Sequence, residues 1–109
     1  MTSDAVVKSG DNVFEDIGIK DAEDMLRKAK LVSSIQDIIE ERGWTQRQAA
    51  KALGMSQPKL SLMLRGQFHG ISETQILRYL ARLGSNVRIV VTPPPGLNAE
   101  PGNIQVVFA

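Results

Sequence analysis

Residues 45–66 read Thr-Gln-Arg-Gln-Ala-Ala-Lys-Ala-Leu-Gly-Met-Ser-Gln-Pro-Lys-Leu-Ser-Leu-Met-Leu-Arg-Gly (TQRQAAKALGMSQPKLSLMLRG). Thr45 is a helix-capping residue, and Gln48 follows three positions later, the spacing of a capping box. Ala49, Ala50 and Leu53 form a narrow apolar stripe, and Gly54 supplies a stop. A second start follows at once. Ser56 can cap, and Pro58 is tolerated in a first turn, where no helical N–H is needed. Leu60, Met63 and Leu64 then face inward, and Gly66 closes the helix. The segment is thus expected to form two short helices joined by Gly54-Met55-Ser56 alone. Small residues at 49 and 50 suit a close crossing, and Met55 can plug the space beneath the turn. This is the layout of a helix-turn-helix.

Working outward, the preceding stretch shows helical spacing. Met25, Leu26, Ala29, Val32, Ile35, Ile38 and Ile39 recur at three and four residues. Asp21 is the expected N-cap and Gly43 the stop, giving a helix of about 33 Å with a conceivable break at Ser33-Ser34. Trp44 falls just before the Thr45 cap, where it can pack back as a hydrophobic staple. Residues 1–20 read as an extended leader, whose Val13, Phe14, Ile17 and Ile19 either dock on the domain or order against a partner. Downstream, Ser72 and Gln75 start a fourth helix carrying Ile76, Leu77, Leu80 and Leu83, stopped by Gly84. Residues 87–92 (VRIVVT) are rich in β-branched side chains and read as a strand, ended by Pro93-Pro94-Pro95-Gly96; residues 103–108 are a second strand candidate. The expected fold is mainly α: a helical domain over 21–84, with the motif at 45–66, and a C-terminal strand or hairpin over 85–109.

Charge is distributed unevenly along the chain. Residues 1–44 hold ten acids and six bases, whereas residues 45–70 hold Arg47, Lys51, Lys59 and Arg65 and no acid. No Asp or Glu occurs between Glu41 and Glu73. A segment without carboxylates can approach a polyanion without like-charge repulsion. The outward face of the second motif helix (Gln57, Lys59, Ser61, Leu62, with Arg65 at its end) offers donors and one methyl-bearing side chain, suited to phosphates and groove edges.

The motif resembles the Xre class of helix-turn-helix, the class of the lambda Cro and repressor proteins. The matching features are TQ at the first helix start, the AA pair, LG at the turn, SQP at the second start and the L-x-x-x-L-R-G ending. The VFEDIG leader at 13–18, the long first helix and the NVRIVV segment at 86–91 extend the likeness to the branch that includes HigA-type antitoxins. The resemblance spans residues 13–91 and implies a four- to five-helix lambda-repressor-like domain that binds double-stranded DNA. It implies that Gln46 contacts phosphate, that Gln57 reads a base edge, that Lys59 and Ser61 contact base or phosphate, that Arg65 clamps phosphate, and that Ser56 adds a phosphate contact to its cap. Pro58 and Leu62 depart from the glutamine-rich readers of the phage branch, so base readout is expected to be sparse and DNA shape to contribute more.

One recognition helix reads too few bases for high specificity, so a homodimer on an inverted repeat is expected. The antitoxin branch of the resemblance, with the acidic balance of residues 1–44, offers an alternative compatible with the first: an antitoxin that neutralises a RelE/HigB-type toxin and represses its own operon. The strand at 86–92 is expected to pair with its symmetry mate or with residues 104–108. The chain has no cysteine, which excludes thiol chemistry and suits a reducing cytoplasm. No nucleophile–base pair, metal-ligand cluster or phosphate-cradling loop is recognisable, so no catalytic, metal or cofactor site is expected. His69, the only histidine, reads as a loop residue beside Phe68. No run long enough to span a membrane and no signal-peptide pattern is present.

Overall fold

The computed structural model describes the backbone of residues 12–109 and the side chains of residues 21–109. Four helices follow one another: α1 (Asn12–Glu41), α2 (Gln46–Leu53), α3 (Gln57–Leu64) and α4 (Glu73–Arg82). α1 is longer than the sequence suggests. It runs unbroken for 30 residues, through both Ser33-Ser34 and the expected cap at Asp21. Residues 12–20, expected to form an extended leader, are therefore helical. The expectation for residues 1–11 lies outside the described residues. Val13, Phe14 and Ile17 already stand three and four apart, and Gly18 is the only strongly unfavourable helix former in that stretch, at about 1 kcal/mol.

The core lies where α1 packs on α4 and α3, and α2 in turn packs on α3 and α4. Leu31, Val32, Ile35 and Ile39 of α1 are buried with Ala49, Ala50 and Leu53 of α2, Leu60 and Met63 of α3, and Ile76, Tyr79 and Leu80 of α4. Phe68, Ile71 and Leu83 close the gaps between helices. The apolar period read in α1 holds from Val32 onward but drifts earlier: Leu26 is 59% exposed and Ala29 is exposed, while Leu31, absent from the expected stripe, is buried. Leu26 lies six residues before Val32, roughly two-thirds of a full rotation at about 100° per residue, so it points away from the core.

Between α1 and α4 lies one ionic node. Arg27, with a side chain 12% exposed, donates from Nε to both carboxylate oxygens of Glu73 at 3.2 Å and from Nη2 to Asp24. Burial alone would lower the Arg27 pKa, but the hydrogen bonds and charges of Glu73 and then Asp24 raise it above its ordinary value. The guanidinium also reaches the Ile104 carbonyl at 3.5 Å, tying the C-terminal segment to the helices.

All four helices end in the same way. At Gly43, Gly54, Gly66 and Gly84 the backbone takes positive φ, and the two amides after each helix fold back onto its last carbonyls, as in Gly54→Lys51 and Met55→Ala50. This is the Schellman arrangement. Among the described residues, the strand or hairpin expected over 85–109 is absent; that segment carries no regular structure. The β-branched run is in place but has no ladder partner: the backbone–backbone hydrogen bond within residues 86–109 is a local turn bond, from the Ala99 amide to the Gly96 carbonyl at 3.4 Å. Instead, residues 85–92 and 102–108 line an open groove of about 730 Å³ over Leu31, Leu77 and Leu80. Val106 packs on the core, whereas Ile89, Val90, Val91, Ile104, Val107 and Phe108 stay exposed.

Candidate nucleic-acid interface

The motif's local structure follows from its caps. Thr45 Oγ1 accepts from the Gln48 amide at 3.1 Å, and Gln48 Oε1 accepts from the Thr45 amide at 2.8 Å, completing the capping box read in the sequence. Ser56 Oγ accepts from the Lys59 amide at 3.3 Å, and Pro58 sits in the first turn of α3. Gly54 takes φ 73°, a left-handed conformation that a residue with a Cβ reaches only at a cost. α2 and α3 are therefore joined by three residues, with Met55 half-buried beneath them and packed on the core.

Leu60 and Met63, both 0% exposed, bind α3 to the core and define what faces outward. Gln57, Lys59 and Arg65 are exposed, Ser61 is half-exposed, and Leu62 is 40% exposed. At about 100° per residue, Pro58, Ser61, Leu62 and Arg65 cluster on the helix face opposite Leu60 and Met63, while Gln57 and Lys59 stand on its two flanks. Pro58 and Leu62 bring no side-chain donor to this face, which leaves Ser61 in its middle and Arg65 at the helix end to supply them. Gln46 is exposed at the start of α2. Ser56, engaged by the Lys59 amide, retains an exposed hydroxyl.

The electrostatics of the face are one-sided. The ion pairs among the described residues join Arg27 to Asp24 and Glu73, and His69 Nδ1 stands 4.0 Å from Asp21 Oδ1. Arg47, Lys51, Lys59 and Arg65 are exposed with no carboxylate partner among the described residues. The first amides of α2 and α3 add partial positive charge at both helix starts. Such a surface can hold phosphates on either side of an exposed helix and bring short polar and methyl groups to base edges. His69 is an exposed loop residue whose carbonyl accepts from Lys28 Nζ at 3.3 Å. No described helix is long and apolar enough to cross a membrane.

Two arginines not singled out by sequence bind backbone carbonyls behind the motif. Arg82 of α4 donates from Nε to the Ala52 carbonyl of α2 at 3.3 Å, and Arg42 donates from Nη2 to the Leu83 carbonyl at 2.7 Å with its guanidinium 5.0 Å from the Trp44 ring centre. Trp44 is half-buried against the core, as its place before the cap suggests.

A first helix anchored by its buried Ala49, Ala50 and Leu53 stripe, a capped three-residue turn and a second, carboxylate-free helix with an exposed face define the class: a helix-turn-helix domain. A family model described as a helix-turn-helix domain matches residues 13–92. A solved structure described as a candidate XRE-family transcriptional regulator is similar at 30% identity and a TM-score of 0.72, over 82% of this chain and 99% of that one. No curated protein sequence matches the chain. The chain belongs to the XRE-type helix-turn-helix family.

Proposed function

We propose that the protein is a DNA-binding transcriptional regulator that sets α3 in the major groove. The observation that carries this is the exposed, carboxylate-free face of α3 beside the capped start of α2. Gln46, Ser56 and Arg65 contact backbone phosphate; Gln57, Lys59 and Ser61 supply the base-edge contacts, with Leu62 against a thymine methyl. Gln57 offers an amide that fits the N6 and N7 edge of adenine. With so few readers, one domain specifies little sequence. A homodimer on an inverted repeat, with half-sites about one helical turn apart, supplies the rest.

The C-terminal segment supports the dimer. Its exposed valines, isoleucines and Phe108, with unpaired backbone groups, form a template for strand pairing between two copies. The test is enrichment of a randomised duplex pool on the purified protein. An inverted repeat recovered from the pool supports the proposal, and an unenriched pool rejects it.

A second role rests on α1. Asp21, Glu23, Asp37, Glu40 and Glu41 are exposed along it, a surface suited to a basic protein such as a RelE/HigB-type toxin. Co-expression with a small basic ribonuclease-like protein encoded beside the gene tests it: a co-purifying complex supports the antitoxin role, and separate elution refutes it.

A further inference from the structure

The C-terminal ends of α1, α2 and α4 are linked at one corner by two arginines. Arg42, just past α1, holds the Leu83 carbonyl at the end of α4. Arg82, in the last turn of α4, holds the Ala52 carbonyl near the end of α2, 30 residues away in sequence. The last carbonyls of a helix lack intrahelical partners and carry its negative dipole end, so a guanidinium there satisfies both demands.

Arg82 does more than cap. A Cβ built on Gly54 would stand 3.0 Å from Arg82 Nη2 and 3.2 Å from Cζ, so the guanidinium lies directly against the turn between α2 and α3. Gly54 is required by its positive φ, and a side chain there would also push the Arg82 guanidinium off the turn. No carboxylate pairs with Arg82 among the described residues. Its side-chain hydrogen bond goes to the α2 backbone.

We propose that Arg82 is a positioning residue for DNA recognition. By gripping the end of α2 and the face of Gly54 together, it fixes the Gly54-Met55-Ser56 turn and hence the angle at which α3 is presented. Leu60 and Met63 hold α3 to the core; the turn sets how the helix is swung relative to α2. A lysine preserves the charge but lacks the planar fork that reaches the carbonyl and lies on the glycine at once. This proposal rests on the DNA-binding function above, and its effect is on specific rather than general affinity.

The test compares wild type, Arg82→Lys and Arg82→Gln on a duplex enriched by the wild type from a random pool, with a scrambled duplex as control and a salt series for each. Arg82→Lys is expected to weaken the enriched duplex about tenfold, the loss that one misread base pair produces. The scrambled duplex and the salt slope should be unchanged, and amide exchange at Gly54 and Met55 should accelerate in both variants. Circular dichroism melts identify a variant that fails to fold, and the amide exchange of the other then decides. Unchanged affinity and unchanged turn exchange overturn the proposal. So does an equal loss on both duplexes in Arg82→Gln with a slope lower by about 0.9, the mark of a direct phosphate contact. A wild type that enriches no sequence overturns the DNA-binding function itself, an outcome distinct from a wild type that binds and an Arg82→Lys variant that binds equally well.

Discussion

Thr45 and Gln48 show how a single pair can place a helix. Each side chain satisfies the other's backbone amide, so α2 starts at Gln46 and nowhere else. Thr45→Ala removes one bond of the pair and should lower stability by about 1 kcal/mol. A thermal melt followed by Trp44 fluorescence checks it, and an unchanged midpoint would show the cap to be redundant. On α3, Gln57 and Leu62 divide the proposed readout between an amide and a methyl-bearing side chain. Leu62→Ala leaves folding intact, because the side chain is 40% exposed, and should weaken binding only to duplexes with a thymine beneath it. A panel with that base pair varied shows the dependence as a difference between duplexes; equal weakening on all of them contradicts it.

At the scale of the elements, α3 is a short helix whose stability comes from its underside. Leu60 is 0% exposed, and Leu60→Ala should cost about 2–5 kcal/mol through lost burial and the cavity left behind. Chemical denaturation measures it, and a loss below 1 kcal/mol would mean that the core collapses around the site. Most element boundaries were legible because they rest on local chemistry: Thr45, Ser56 and Ser72 cap, and Gly43, Gly54, Gly66 and Gly84 stop. Two features were not. α1 starts before Asp21, which resembles a cap, because helical spacing already runs through Val13 and Ile17. The strand at 87–92 failed because a strand is a pairing, and the β-branched residues that favour it do not themselves supply a partner. The role of Arg82 was hidden for a related reason. An exposed arginine in the last turn of a helix looks like ordinary solvated surface, and its target lies 30 residues away.

On the scale of the whole molecule, the chain divides into a helical reader and a C-terminal segment with an unmet demand for pairing. They meet at Arg27, which joins α1, the start of α4 and the Ile104 carbonyl. Deleting residues 86–109 should leave the helical content intact and reduce the proposed dimer to monomer. Sedimentation equilibrium reads the change; a dimer persisting without the segment would place the interface on the helices. Loss of the dimer should also weaken binding to an inverted repeat far more than binding to a single half-site.

The binding of α3 to DNA is tested most directly by fluorescence anisotropy of the full chain on a duplex that it enriches, beside a scrambled duplex, across a salt series, for wild type and Gln57→Ala. Tight, salt-sensitive binding to the enriched duplex should weaken by about 1–3 kcal/mol in Gln57→Ala, with the scrambled duplex unaffected. Equal, weak binding of wild type to both duplexes at physiological salt would contradict the assignment of α3 as a reader of sequence and leave the basic face as a general attractor of polyanions.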